Sequence, residues 1–251
     1  MGVAGPIDQN GVVLSPPNLP GWDNTPLRSL WEEEFRVPVY IGNDCNLAAL
    51  GEYRFGAGMG RDNIVYIAIG TGIGGGVIID GRLFTGSGGL ATELGHMTID
   101  PSGPRCNCGN TGCLEALASG TAIARAAVER IQCGEASTIT RLATSDLGRV
   151  TAETVQTAAI SGDKLARDVI ERAGRDLGIG ITNLLHLFNP ELVIIGGGVA
   201  MMGELILNPA RKTVAERAMP GFIVPIVPSS LGDDAGLLGA VALVGESSGL
   251  A

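Results

Sequence analysis

The chain has 251 residues, 45% hydrophobic and 17% charged, with a mean hydropathy of +0.28. That composition buries a substantial core, as one large domain or two small ones, and excludes a mostly disordered chain, which would combine low hydrophobicity with high charge. With 17 basic and 26 acidic residues the net charge is −9, which argues against a broad polyanion-binding surface.

The first residues, MGVAGPIDQNGVV, have neither the basic nor the apolar region of a signal peptide. Asn10-Gly11 is a hairpin signal and predicts that residues 3–7 pair with 12–14. The prolines of residues 15–26 forbid regular structure there. Pro26 opens a short helix, LRSLWEEEF, and VPVYIG reads as an apolar strand. Asn43 or Asp44 then caps a helix over NLAALGEYRF. NIVYIAIG is predicted as a strand, Gly70 to Gly76 as a turn, and VIIDGRLFTG as a second strand bent at Asp80-Gly81. The uncharged stretch 63–79 is too rich in glycine for a membrane span. Residues 87–112 read as irregular, and CLEALASGTAIARAAVERI as one helix. Residues 152–187 carry helical periodicity with a break near Ser161-Gly162-Asp163. NPELVIIGGGVA is turn, buried strand and glycine turn; a helix over residues 211–219, the strand FIVPIVPS and a helix AGLLGAVALVG close the chain.

Four patterns point to chemistry. Cys106, Cys108 and Cys113, with His96 ten residues before the first, supply three thiolates and an imidazole, a complete tetrahedral zinc shell. A shell with no open position makes the zinc structural, a pin for the loop of residues 95–113. Reduced core cysteines are the bland alternative. Cys45 and Cys133 stand alone and read as inert buried thiols, and His186 reads as structural. The run GTGIGGG lets backbone N–H groups approach a phosphate, with the Thr71 hydroxyl beside them, or is simply a glycine-rich bend. Gly196-Gly197-Gly198 follows the strand LVII, where nucleotides sit at the edge of α/β sheets. Asp44 is either a carboxylate at a cleft or an ordinary helix cap. Glu93 and Glu115 flank the zinc ligands, so the metal would hold both in one place.

The ordered series Asn43-Asp44, GTGIGGG, Glu93-Leu94-Gly95-His96, the CxCGxxGCxE run from Cys106 to Glu115, and NPELVIIGGG resembles the ROK family of bacterial sugar kinases and repressors over essentially the whole chain, and its glucokinases most. The resemblance implies an α/β, actin-like ATPase fold of two domains around a cleft. Residues 1–43, with the helix at 235–251 packing back, would belong to the small domain, and 44–234 to the large one. It implies ATP-dependent transfer of a phosphoryl group to a hexose hydroxyl, of glucose foremost, with N-acetylmannosamine, fructose or allose as alternatives. Asp44 would be the general base; Gly5, Asn43, Glu93, His96 and Glu115 would hold the sugar; Thr71 and Gly72 would meet the phosphates, and Gly196 and Gly197 the adenosine. Mg2+ would accompany ATP. A cytoplasmic homo-oligomer, dimer or tetramer, without nucleic-acid or membrane partners, is expected. The family's Asp-x-Gly-Gly-Thr phosphate loop does not occur in these 251 residues. The chain is therefore expected to be a shortened form and a poor kinase; a sugar-binding regulator and a catalytically impaired remnant are the competing expectations.

Overall fold

The computed structural model describes residues 1–14 and 21–248, so the proline-rich stretch 15–20 lies outside the described residues. The sheet is built where the sequence is apolar without alternation. Such strands must be covered on both faces. In chain order, β1 (Gly2–Val3) pairs in parallel with β2 (Gly42–Asn43), and α1 (Leu27–Phe35) lies between them in sequence. Arg36, left-handed at φ 54°, ends α1 by donating its N–H to the Glu32 carbonyl. The expected hairpin survives as one antiparallel bridge, Ile7 to Val13. VPVYIG is not a strand up to Ile41; only Gly42 and Asn43 pair, and Pro38 has no N–H to offer a ladder.

The main sheet comprises β3 (Ile64–Ile69), β4 (Ile73–Ile79), β5 (Arg82–Leu83), β6 (Leu192–Gly196) and β7 (Ile226–Pro228), in the order β5-β4-β3-β6-β7. β3 and β4 form an antiparallel hairpin, whereas β3, β6 and β7 run parallel. The predicted turn over Gly70 to Gly76 is shorter than expected: only residues 70–72 turn, and Ile73 to Gly76 are strand. The reason is packing. A Cβ on Gly74 would lie 2.5 Å from the Cys45 sulfur, and one on Gly76 2.6 Å from the Ala49 methyl. The glycines let the helix α2 (Asp44–Phe55) lie directly on the strand. FIVPIVPS is likewise strand only over its last apolar residues.

On the other face lie α3 (Leu114–Ala118), α4 (Gly120–Gln132), α5 (Ile139–Leu142), α6 (Ala152–Ile160), α7 (Lys164–Phe188) and α8 (Glu204–Arg217). The helix expected over CLEALASGTAIARAAVERI is two, because Ser119 ends α3 and its hydroxyl caps α4 by accepting the Ala122 N–H. The helix expected at residues 211–219 begins at Glu204 and runs through Pro209, a residue that ordinarily stops a helix. Pro209 falls where α8 presses on α7: a Cβ on Gly174 would meet the Ile206 carbonyl at 2.6 Å and the Pro209 ring at 2.9 Å.

Val65, Ile67, Ile69 and Val193 face the core under α3 to α8, while Ile64, Tyr66, Ile78 and Ile194 face α2 and α9 (Ala235–Ser248). Residues Val3, Ile7, Val13, Leu27 and Ile41 form a separate small cluster. Glu52, fully buried near the end of α2, accepts four hydrogen bonds: from the Ser229 hydroxyl at 2.5 Å, the Ala57 N–H at 2.8 Å, the Leu231 N–H at 3.0 Å and the Ser230 hydroxyl at 3.1 Å. Each donor offsets part of the cost of burying a carboxylate. Among the described residues, no helix is long and apolar enough to cross a membrane.

Candidate active site

The site begins at the junction of β2 and α2. The Asn43 side-chain oxygen accepts the N–H groups of Cys45, at 3.0 Å, and Asn46, at 3.1 Å, so Asn43 is the cap. Its amide donates to the Gly5 carbonyl at 3.2 Å, which fixes the turn at residues 1–7 over the helix end. Asp44 is thereby relieved of capping and stands exposed in the first turn, where the helix dipole favours a negative charge. One of its oxygens accepts the Cys45 N–H at 2.9 Å; the other has no partner among the described residues. Burial and then the neighbouring Asp44 carboxylate push the Cys45 thiol far up, which suits an unreactive residue. Cys133 differs from the expectation of burial: it is exposed at the end of α4, because the helix stops there on the surface.

The loop after β5 carries the metal-type donors. Leu94–His96 is a single 3-10 turn, and Thr92, left-handed at φ 73°, donates its hydroxyl to the Asn46 side chain at 3.0 Å. Cys106 and Cys108 lie in a tight turn in which the Gly109 N–H meets the Cys106 carbonyl at 3.0 Å. Cys113 immediately precedes α3. The ligand atoms of His96, Cys106, Cys108 and Cys113 all lie within 4.8 Å of one another. His96 Nδ1 is 3.7 Å from the Cys106 sulfur, and the Cys108 and Cys113 sulfurs are also 3.7 Å apart. Zinc with sulfur at about 2.3 Å requires tetrahedral edges of roughly 3.7 Å. The four donors fit zinc in number and type, and these two pairs fit it in spacing.

Glu115 joins this cluster to the glycine turn. One carboxylate oxygen lies 3.7 Å from the Cys106 sulfur, and the other accepts the Ile73 N–H at 2.9 Å. Glu93 shares the electrostatic neighbourhood. Desolvation pushes its carboxyl above the ordinary range; His96 pulls it back, and Glu115 and Asp44 push it further up. One patch at the N-terminus of α2 thus collects Asp44, Glu93, His96 and Glu115. Asn43 and Glu93 also line a small pocket with Pro6, Asn46 and Thr92.

The second half of the site is a cleft of about 600 Å³ on the other side of the glycine turn. Gly70 and Thr71 form one edge, Thr121 and Ala124 of α4 another, Thr151 and Gln156 a third, and Gly198, Val199 and Met201 the last. Gly198 lines it directly. Gly197, at φ 82°, makes the turn into it, and Gly196 is buried in β6 against the Tyr66 ring. On its Cβ side Gly72 abuts Glu115: a Cβ there would fall 2.3 Å from the carboxylate. Thr121, Gln156 and Met201 escaped the sequence reading. Only the Ser119-Gly120 break could have flagged the first, and nothing in the spacing flags the others. His186 lies on the exposed side of α7, where its Nε2 accepts the Met219 N–H at 3.1 Å and its ring meets Phe222 edge-on.

Comparison with known proteins decides the family. The description of the ROK family matches residues 1–247. The chain belongs to the ROK family. It is 42% identical to a glucokinase of Thermotoga maritima over 252 residues, covering 99% of this chain and 79% of that protein. It superposes with a TM-score of 0.86, at 38% identity, on a ROK family glucokinase from Streptomyces griseus solved with glucose and AMPPNP, covering 96% of this chain and 79% of the other. It is also 38% identical to a xylose repressor of Caldicellulosiruptor bescii, covering 97% of this chain and 61% of that protein. The fold is accordingly the actin-like ATPase fold.

Proposed function

We propose that this ROK protein phosphorylates glucose at the expense of ATP. The observation that carries the reading is the single patch of Asp44, Glu93, His96 and Glu115 lying beside a glycine turn whose other side opens into the cleft. In this reading Asp44 takes the proton from the C6 hydroxyl of the sugar. The hydroxyl oxygen forms its bond to the γ-phosphorus as the bond to the β-phosphate oxygen breaks, leaving glucose 6-phosphate, ADP and a proton. Phosphoryl transfer depends on position and charge more than on covalent chemistry, and the side chains serve position. Asn43, with Gly5 beneath it, and Glu93, His96 and Glu115 hydrogen-bond the sugar hydroxyls. Thr71 and Gly72 meet the phosphates; Gly197 and Gly198, with Gly196 behind them, meet the adenosine.

His96, Cys106, Cys108 and Cys113 would hold zinc, which when bound supplies rigidity and fixes the ring of His96. Mg2+ would arrive with ATP, held by phosphates and water. A cytoplasmic homo-oligomer completes the reading, and light scattering measures its size. The test is a panel of hexoses with ATP, following ADP release. Turnover with glucose and not with N-acetylmannosamine, fructose or allose is the expected result, and no turnover with any sugar overturns it. The similarity to xylose repressors favours one other reading, a sugar-binding regulator. Sugar binding by calorimetry with no ADP release under any condition would favour it.

A further inference from the structure

The glycine turn is held from behind by its carbonyls. The Gly70 carbonyl accepts the Gly120 N–H at 2.8 Å, and the Thr71 carbonyl accepts the Thr121 hydroxyl at 2.8 Å. The Gly72 carbonyl is turned inward onto the Gly70 N–H at 2.9 Å. In a trans peptide the C=O of one residue and the N–H of the next point in opposite directions. Tying the carbonyls of Gly70 and Thr71 to the start of α4 therefore turns the N–H groups of Thr71 and Gly72 outward. Neither N–H has a partner among the described residues. Two adjacent outward N–H groups are what an anionic phosphate requires.

The anchoring hydroxyl is itself oriented. Ser119 Oγ accepts the Ala122 N–H at 3.1 Å and lies 3.0 Å from Thr121 Oγ1. Thr121 has one hydroxyl proton, and it goes to the Thr71 carbonyl. The proton between the two hydroxyls is then that of Ser119. The chain runs from the Ala122 N–H through Ser119 and Thr121 to the turn, each donor polarised by the one before. Thr121 also lines the cleft, so nothing but solvent or ligand competes for its outer side.

We propose that Thr121 is a positioning residue for phosphoryl transfer: its hydroxyl sets the peptide plane between Thr71 and Gly72 and so aims the Gly72 N–H at the nucleotide phosphates. The inference rests on reading the cleft as a nucleotide site. It makes the exposed Thr121 a determinant of ATP affinity with no part in holding the sugar.

The test compares Thr121→Val, which keeps the shape and loses the hydroxyl, with Thr121→Ser, which restores it. ATP and glucose affinities are measured separately by calorimetry on the full chain, together with zinc content and melting temperature. For Thr121→Val the ATP dissociation constant is expected to rise about fivefold, the scale of one net hydrogen bond. Glucose affinity and zinc content are expected to stay within twofold of wild type, and Thr121→Ser to return ATP affinity to within twofold. Unchanged ATP affinity in Thr121→Val overturns the proposal. So does an equal loss of ATP and glucose affinity, which would mark a merely structural residue. Wild-type protein that binds glucose but no ATP would overturn the nucleotide reading, and this inference with it.

Discussion

The two halves of the site are made of different materials. The half around α2 and the cysteine turn is a set of polar side chains, three of them tied to a named partner: Asn43 to the helix end, Glu115 to Ile73, His96 to Cys106. The half around the cleft is largely backbone and small or apolar side chains, such as Gly70, Gly198, Val199 and Ala124. A sugar offers many hydroxyls in fixed directions and needs a partner for each. A nucleotide offers a flat ring and an anionic tail, which an apolar slot and outward N–H groups satisfy. The difference teaches that specificity should be sensitive to side-chain substitution on the first half and to backbone placement on the second.

The sharpest way to break the comparison is Asp44→Asn. The amide still hydrogen-bonds a hydroxyl but cannot take its proton, so turnover should fall about 10²–10⁴-fold with glucose affinity nearly kept. Loss of less than tenfold would return Asp44 to the role of a simple first-turn acid. Removal of zinc, by chelation or by Cys113→Ser, comes next. Apart from the metal, the cysteine turn is held only by isolated bridges such as Thr98–Cys113 and Arg105–Thr111 and by local hydrogen bonds, so glucose affinity should fall at least about tenfold, with a lower melting temperature, because binding energy at such a site is folding energy. ATP affinity should fall less. Metal analysis with calorimetry on both substrates checks this, and equal losses would erase the distinction between the halves.

Glu115→Ala tests a side chain that links the cysteine turn to the glycine turn. It leaves the Ile73 N–H without its acceptor, a cost of about 1–3 kcal/mol. Both substrates should weaken to a similar extent, unlike the unequal losses expected for Cys113→Ser. The smallest effect is expected at Asp176 on α7, behind the cysteine turn. Burial pushes its carboxyl up to about 6; Arg172 and Arg175 pull it down, and Asp100 of the loop pushes it up. An acid whose folded value is raised stabilises fully below its unfolded range and loses that contribution as pH rises through about 6. Asp176→Asn should therefore match wild type near pH 4 and exceed it near pH 8, by ~1 kcal/mol once solvent screening is allowed for. Urea midpoints at the two pH values measure it, and a variant less stable at pH 8 would contradict the sign.

The same contrast explains what the sequence reveals. Asn43-Asp44, the Glu93 to His96 turn and the three cysteines are legible because their chemistry needs particular side chains at particular spacings. The long amphipathic α7 and the apolar β3 and β6 are legible because periodicity reports burial. The cleft is legible only at its two glycine turns, Gly70-Thr71 and Gly198; its other walls, from residues 120–124, 150–156 and 199–202, are brought together only by the fold. Glycines mislead for a related reason. In GTGIGGG a single composition serves two ends, a turn at residues 70–72 and close contact with α2 at Gly74 and Gly76. Pro209 in α8 and Ser119 between α3 and α4 show local signals overruled or doubled by packing: Pro209 is kept in the helix where α8 presses on Gly174, and Ser119 ends one helix while starting another.

Glu52 sits at the end of α2 away from Asp44 and gathers four donors, three of them from residues 229–231 beyond β7. Together with Ala48, Ala49 and Leu50 packed against Ala235 and Ala242 of α9, it makes α2 the fixed member of a larger body. The carboxylate of Asp44 is therefore carried like the tip of a rigid boom clamped at its base. A swing that brings it to a substrate cannot be a rocking of α2 alone; α9 and the corner after β7 must travel with it, and the bending is taken up outside all three. In solution the amide protons of Ala57 and Leu231, both hydrogen-bonded to that one carboxylate, would then exchange with solvent together.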